Sequence, residues 1–308
     1  MNESCILSNN PTNPNNFNNP HHIKYIGHTI NISHGFLTVV DYATTLEANF
    51  IQIFLSSPQK YNNTRKSHNE LIQFKQKLIN NNMKLVIHGS YKLNFCNPKE
   101  TFIHKAAIID LVNDLNDSVK LGAIGVIIHM GKNVKALNLS YNEAFNNYID
   151  GIKISLSKSN NTSTIILETG AGVGTEICSD IFNLAKLYNS FTDNEKARIK
   201  FCIDTCHIFA YGYHIGNYSF VDVFCDLIDK YLNWNNIACI HLNDSKDKLG
   251  AKLDNHADIG KGNIGTEGLK KFIKICASKN IPIVLETPCN ILSKKDQIIL
   301  VKNWVYEL

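Results

Sequence analysis

The chain lacks the features expected of membrane-spanning, secreted or disulfide-stabilised proteins. No apolar run approaches the roughly 20 residues that a transmembrane helix needs, so we expect a soluble protein with no membrane partner. Residues 1–4 show no basic region followed by an apolar one, so we expect no secretory signal. The nine cysteines include no C-x-x-C pair, and an odd number without regular spacing favours reduced thiols inside a cell.

Arginine is also scarce, since it occurs only at Arg65 and Arg198 among 31 basic residues. The net charge of +4 permits a polyanionic partner without demanding one. Abundant Lys, Asn and Ile favour an AT-rich genome, as in some bacteria, parasites and large DNA viruses. We therefore expect a location in the cytoplasm or nucleus, or in the virion if the source is a large DNA virus.

The composition predicts one globular domain that follows a polar N-terminal tail. Residues 1–22 are rich in Asn and Pro with few apolar groups, which is typical of a disordered segment. Residues 23–308 have the length and apolar content of a single α/β barrel, which usually needs about 250 residues.

Strand and helix patterns alternate from residue 23 onwards. Short β-branched runs predict buried parallel strands at 23–27, 50–55, 84–88, 125–129, 164–168, 199–204, 237–242 and 282–286. Helical patterns lie between them, at about 36–48, 68–80, 97–122, 142–157, 175–189, 219–231, 266–278 and 294–307. We place the start of the third helix at a capping box over residues 97–100. A closed TIM-type (β/α)8 barrel is the leading prediction. An open doubly wound sheet is the alternative, although no G-x-G-x-x-G follows the first strand.

Six of these apolar runs stop on a residue that can bind a metal ion. The six are His88, His129, Glu168, Asp204, His241 and Glu286. A closed parallel barrel brings the C-terminal ends of all its strands to one face, where active sites lie. The pattern therefore predicts a polynuclear metal site at that face.

Two local pairs extend the set to nine candidate ligands. His207 follows Asp204 in one strand-to-helix turn, and Asp254 precedes His256 by two residues beside a glycine-rich loop. Imidazole and carboxylate without thiolate suit Zn, Mn or Fe, and nine ligands with one bridging carboxylate would fill three sites. A single strand-end His or Asp is more often a hydrogen-bonded structural residue or a helix cap, but six strands ending this way favour the metal interpretation. The neighbouring Cys202, Cys206 and Cys239 are interpreted as core residues, and His28, His34, His68, His104 and His214 as structural or surface residues.

At these residues the sequence resembles the endonuclease IV family of apurinic/apyrimidinic endonucleases. The resemblance rests on residues 201–213, on 241–246 followed by 254–256 and 259–265, and on the shorter stretches 88–91, 167–172 and 285–288. It covers about residues 23–308. It implies a TIM barrel with three zinc ions, and Mn²⁺ is an alternative at one site.

The resemblance also implies how the ligands divide among the ions. His88 and His129 would bind the first ion, and Glu168 would bridge it to the second. Asp204, His241 and Glu286 would complete the second site. His207, Asp254 and His256 would bind the third ion.

The sequence departs from the family pattern mainly where DNA would be contacted. The first strand continues as Gly27-His28-Thr29, so the usual histidine behind the metal site is displaced, and Met130 stands in a usual His-Pro-Gly. Where the family often carries an inserting Arg, this chain has Gln59 and Lys60. Tyr91 fits an inserting tyrosine, with Lys92 in place of the usual apolar neighbour. Further candidates for DNA phosphate contacts are Lys246, Lys248, Lys252 and Lys261.

The function implied by the resemblance is base excision repair. We expect a monomer that hydrolyses the phosphodiester 5′ to an abasic site in double-stranded DNA and leaves a 3′-hydroxyl and a 5′-deoxyribose phosphate. Glu286 or Glu168 would orient or deprotonate the nucleophile, and the sequence does not choose between them. The alternatives are a xylose-isomerase-like sugar isomerase or epimerase and a non-catalytic protein that binds damaged DNA.

Overall fold

A computed structural model describes residues 24–55, 57–59 and 65–306. The predicted tail, residues 1–22, and Lys60 lie outside the described residues. Within these ranges, eight parallel strands close into a barrel. The closed barrel confirms the predicted fold class and excludes the open sheet.

The barrel strands are short and almost wholly buried. They are β1 (Ile26–Thr29), β2 (Phe50–Ile53), β3 (Lys84–His88), β4 (Val126–Ile128), β5 (Ile165–Glu168), β6 (Ile199–Asp204), β7 (Ile237–His241) and β10 (Ile283–Leu285). A two-stranded antiparallel hairpin, β8 (Asp244–Ser245) and β9 (His256–Ala257), stands between β7 and β10 in the chain. Strand β1 pairs with both β2 and β10 and so closes the barrel. Branched Ile and Val side chains suit strands that are buried on both faces.

The helices surround the barrel in the expected alternation. They are α1 (Val39–Thr45), α2 (His68–Asn80), α3 (Phe102–Leu121), α4 (Tyr141–Lys158), α5 (Ile181–Asn189), α6 (Asp193–Lys196), α7 (Thr205–Tyr211), α8 (Tyr218–Tyr231), α9 (Thr266–Ser278) and α10 (Lys294–Tyr306). A large apolar core lies between the barrel and the helices. No described helix is both long and apolar enough to cross a membrane.

Three predicted helix starts are wrong, each for a local reason. Helix α3 begins after Thr101, because residues 98–101 close a turn in which Thr101 N and Oγ1 both donate to the Pro98 carbonyl. Helix α5 begins after Asp180, because Cys178 has a φ of 53° and interrupts the helix predicted from residue 175. The first predicted helix opens with 3₁₀ turns and becomes α-helical only at Val39.

Alternation along the strands divides the barrel interior into two layers. One apolar cluster contains Phe50, Val86, Ile127, Ile166, Cys202, Cys239 and Val284. Two residues further along the chain, at or just beyond the strand ends and on the same face, stand Gln52, His88, His129, Glu168, Asp204, His241 and Glu286. The apolar layer therefore forms the floor of a polar layer at the C-terminal end of the barrel.

Candidate metal centre

The structure brings all nine predicted ligands together at this end of the barrel. Their ligand atoms form three groups in which every atom lies within 4.8 Å of the others: His88, His129 and Glu168; Glu168, Asp204, His241 and Glu286; and His207, Asp254 and His256. The three groups match the division that the family resemblance implies. A further group combines Asp204 and His256 with Cys206, so this thiol borders the site.

Glu168 stands between the first two groups with one oxygen toward each. Its Oε2 lies 3.4 Å from Nε2 of both His88 and His129. Its Oε1 lies 2.8 Å from Nδ1 of His241, which is also 3.2 Å from Glu286 Oε2. This is the geometry that a carboxylate needs in order to bridge two ions.

The third group adjoins the second through Asp204. Asp254 Oδ1 is 3.1 Å from His207 Nε2 and 3.0 Å from His256 Nε2, and His256 Nε2 is 3.7 Å from Asp204 Oδ2. Asp204 also caps helix α7, because its Oδ1 accepts from the His207 backbone N–H. The helix-cap interpretation and the ligand interpretation thus apply to different oxygens of one carboxylate.

Backbone carbonyls determine which nitrogen of several histidines faces the site. His88 Nδ1 is 2.8 Å from the Gly89 carbonyl, and His207 Nδ1 is 2.7 Å from the Thr169 carbonyl. A carbonyl only accepts hydrogen bonds, so each Nδ1 carries the proton and Nε2 offers its lone pair. Metal-binding histidines are commonly oriented in this way.

The unpaired polar atoms of the site suit bound cations. Glu168 Oε2, His207 Nε2 and His256 Nε2 are buried and make no aligned hydrogen bond within the described residues. Buried polar atoms are normally paired. These three unpaired atoms belong to three different candidate ligands. Imidazole and carboxylate donors at this spacing suit zinc or a similar divalent ion.

Neighbouring opposite charges stabilise the charged forms of Glu168 and His256. Burial raises the pKa of Glu168, but the neighbouring His129 and His241 outweigh burial and hold that pKa well below its usual value. Burial lowers the pKa of His256, but its hydrogen bond and charge interaction with Asp254 raise that pKa to about 9. Glu168 is therefore ionised and needs compensating positive charge, whereas burial raises the pKa of Asp204.

Side chains behind the ligands fix the loops that carry them. Asn243 donates to Asp204 Oδ2 at 2.7 Å and accepts from the Glu286 backbone N–H at 2.9 Å. Asp258 accepts from the backbone N–H groups of Asn290, Ile291 and Leu292. The Asp254–His256 loop and the Glu286 loop are thereby held against each other.

Two of the predicted DNA-contacting residues, Tyr91 and Lys92, line a cavity beside the candidate ligands. A cavity of about 720 Å³ is lined by Tyr91 and Lys92 together with His129, His207, Asp254 and Glu286. Tyr91 is 54% exposed, and its ring lies edge-on to His88 and His129 with centroids 5.4 Å away. Gln59 is exposed beside Pro58, whose carbonyl accepts from the Tyr91 N–H. Lys246 and Lys261 are exposed on the loops that flank the third group.

Strand periodicity also indicates two site residues that are not among the predicted metal ligands. Gln52 and Thr29 occupy the same interior layer as the ligands, and the Gln52 amide contacts both His241 and Glu286. Asn243 and Phe54 had no comparable signal, since they follow the strands on loops. His28 is buried away from the three groups, and its Nε2 lies 3.2 Å from Thr287 Oγ1 and 3.4 Å from Cys289 Sγ.

Comparison with known proteins places the whole barrel in one family. The sequence pattern of the xylose isomerase-like TIM barrel family matches residues 40–306. A protein of Acanthamoeba polyphaga mimivirus that carries the name endonuclease 4 is 40% identical over 290 residues, covering 91% of this chain and 93% of its own length. A Petrotoga mobilis protein with the same name is 32% identical, covering 92% and 98%. The crystal structure of endonuclease IV from Thermus thermophilus superposes with a TM-score of 0.79 at 26% identity, covering 92% of this chain and 100% of that one.

Proposed function

Because the chain belongs to the endonuclease IV family and is a nuclease, we propose that it cleaves DNA at abasic sites in base excision repair. Hydrolysis would occur 5′ to the lesion and leave a 3′-hydroxyl and a 5′-deoxyribose phosphate. The observation that carries this proposal is the three-part ligand cluster with Glu168 between two of its parts.

Three zinc ions fit the donor sets, with Mn²⁺ as an alternative at one site. His88, His129 and Glu168 would hold the first ion, and Glu168, Asp204, His241 and Glu286 the second. The third would be held by His207, Asp254 and His256. Bound ions would supply Lewis acidity for the phosphate and lower the pKa of a water nucleophile.

The chain's own groups supply orientation and acid–base capacity. Glu286 lines the cavity and belongs to the second group. Burial raises its pKa, but the charges of His241 and His88 outweigh burial and lower that pKa below its usual value, so Glu286 is ionised at neutral pH and able to accept a proton. Glu168 is more enclosed and makes ion-pair contacts with four histidines. This difference favours Glu286 over Glu168 as the group that orients the nucleophile.

Substrate selection follows from the cost of extruding a nucleotide. Five of the nine candidate ligands line the cavity, so the reacting phosphate would have to leave the regular duplex and enter the cavity in order to reach them. An abasic nucleotide has lost its stacking and pairing, so its extrusion costs less than the few kcal/mol needed for an intact one. Tyr91 at the mouth has the exposure and position to stack where the lesion was.

An incision assay tests the proposal directly. Purified protein should nick a duplex with one abasic analogue and leave the matched intact duplex uncut, and end-labelling should identify a 3′-hydroxyl upstream of the lesion. Elemental analysis should find about three equivalents of metal, mainly zinc. Binding without incision by fully metal-loaded protein would favour a damage-recognition role, and ketose–aldose interconversion would favour a sugar isomerase.

The sugar isomerase alternative does not explain the third group. Isomerases of this barrel type would need one or two ions, which the Glu168-linked groups could hold alone. The separate His207, Asp254 and His256 group then has no role.

A monomeric, intracellular protein acting on double-stranded DNA completes the proposal, and gel filtration on and off an abasic duplex would test the oligomeric state.

A further inference from the structure

We propose that Gln52 is a positioning residue that fixes which nitrogen of His241 and which oxygen of Glu286 face the second metal site. The inference rests on the proposed function only in assuming that this site binds a cation. Gln52 belongs to strand β2, which supplies none of the nine predicted ligands.

Gln52 is a polar residue at a fully buried position. Its side chain is 0% exposed, and it stands in the polar interior layer two residues beyond Phe50, an apolar residue of the layer below. An apolar side chain would fill such a position without the need to pair an amide. The amide makes three hydrogen bonds, two of them to predicted ligands.

The orientation of the amide follows from its partners. One end lies 2.5 Å from Glu286 Oε1 and 3.0 Å from Thr29 Oγ1, and the other lies 2.8 Å from His241 Nε2. A carboxylate only accepts, so the amide NH₂ must face Glu286, and the amide oxygen must face His241. The opposite orientation would place two acceptors 2.5 Å apart.

This orientation determines the tautomer of His241. The Gln52 oxygen accepts a hydrogen bond from the Nε2–H of His241, so in the neutral ring Nδ1 carries the lone pair. Nδ1 is the atom that faces Glu168 Oε1 at 2.8 Å and Glu286 Oε2 at 3.2 Å. His88 and His207 have the opposite arrangement, with carbonyls at Nδ1. Gln52 therefore does for His241 what the backbone does for those histidines.

The same amide selects one oxygen of Glu286. The NH₂ group occupies Oε1, which leaves Oε2 directed toward the second group. One side chain thus orients two ligands of one site and contacts no ligand of the third group within the described residues. Loss of Gln52 should weaken one ion of the three.

The test compares two buried glutamines. Gln52→Met keeps the approximate volume and removes all three hydrogen bonds of the amide, including those to His241 and Glu286. Gln297→Met is the matched control, since Gln297 is also 0% exposed but bonds to Ile259 N and the Leu292 carbonyl. Zinc transfer to a competing chelator should show about 10- to 100-fold weaker binding of roughly one equivalent in Gln52→Met. Gln297→Met should melt at a lower temperature and hold all its zinc as the unaltered protein does.

A second variant separates the two contacts. Gln52→Glu retains an acceptor for His241 and removes the donor to Glu286. In ¹⁵N spectra of the zinc-loaded protein, the slowly exchanging Nε2–H of His241 should persist in Gln52→Glu and be lost in Gln52→Met. Zinc binding should be weakened in both.

The outcomes distinguish this inference from the proposed function. Unchanged zinc affinity and an unchanged His241 tautomer in Gln52→Met would overturn the positioning role, as would a failure of both Gln52 variants to fold. Zinc-loaded wild-type protein that does not incise abasic DNA would overturn the proposed function while the Gln52 comparison still stands. Wild-type protein without zinc at this site would overturn both.

Discussion

The ligand ring and the rim above it are built in contrasting ways. The ligand ring comprises the nine predicted metal ligands together with Gln52. Its central residues are buried, since Glu168 is 1% exposed and His241 is 0% exposed. The rim comprises Gln59, Tyr91, Lys92, Lys246 and Lys261, which lie on loops, and Tyr91 is 54% exposed. Strand register and hydrogen bonds fix the ring, whereas exposed side chains form the rim. The ring should therefore govern metal binding and chemistry, and the rim should govern affinity for DNA.

The largest expected effect comes from removing the bridging carboxylate. Glu168→Ala should release about two equivalents of metal and abolish incision, because its two oxygens face different groups. His256→Ala should release about one. Metal content and incision rate are measured together for both variants.

Glu176→Ala is the control, since it removes a nearby half-buried carboxylate. Its side chain accepts from Gly172 N and Ser179 Oγ and belongs to none of the metal-binding groups in the described residues. This variant should retain its metal. Equal metal content in Glu168→Ala and His256→Ala would count against the bridge.

Much of the ring could be predicted from the sequence because strands impose a period of two. A strand that ends on His88 or Glu168 must place that residue on the same face as Val86 or Ile166, and closure of the barrel brings these faces together. Gln52 obeys the same rule but was missed, because glutamine is not a usual metal ligand. Sequence alone also misplaced the start of α5, since a non-glycine residue such as Cys178 rarely adopts a positive φ and so gives no sign of it.

Removal of the metals should make the stability of the ring strongly dependent on pH. In the metal-free protein, carboxylates raise the pKa of His241 to about 10 and of His256 to about 9, although burial opposes both shifts. The unfolded value is about 6.5. A raised histidine pKa stabilises the fold fully below about pH 6.5, and this contribution is lost as the pH rises through about 9 to 10.

We therefore expect the chelated protein to lose roughly a few kcal/mol of stability between about pH 7 and pH 10. The zinc-loaded protein should change much less over that interval, because ions rather than protons compensate the carboxylates. Thermal unfolding across this pH range, with and without chelator, measures the difference. Parallel curves for the two forms would show that the ring does not depend on cations.

The rim should show a smaller effect, confined to DNA binding. Tyr91→Ala should weaken binding to an abasic duplex by about 10- to 100-fold, since stacking contributes about 1–3 kcal/mol per base. Metal content should be unchanged, because Tyr91 contacts the ligand histidines only through ring edges. Tyr91→Phe should retain most of the affinity.

Gln59→Ala is the neighbouring comparison for the tyrosine. Gln59 is exposed next to Pro58, whose carbonyl accepts a hydrogen bond from the Tyr91 N–H. Its side chain has neither charge nor an aromatic face. Its loss should change affinity much less than the loss of Tyr91. Unaltered binding by Tyr91→Ala at fixed salt would remove stacking from the account and assign lesion binding to the ring.

The smallest expected effect concerns the lysines of the rim. The two arginines serve the fold, since Arg65 pairs with Asp114 and Arg198 donates to the Leu156 carbonyl in α4 and to the Ser163 carbonyl before β5. Phosphate contacts must then come largely from lysine, which acts as a point charge without the planar geometry of arginine. Lys246 and Lys261 are exposed on both sides of the third group, and their backbone N–H groups bond to the Asn255 and Asp258 carbonyls. Those bonds anchor their loops beside the cavity.

If each lysine neutralises one phosphate, the double variant Lys246→Ala, Lys261→Ala should reduce the slope of log affinity against log salt by about 1.8. Lys158→Ala, an exposed lysine at the end of α4 away from the cavity, should leave the slope unchanged. Equal slopes in the double variant and the Lys158 control would mean that DNA approaches the ring by another face of the rim.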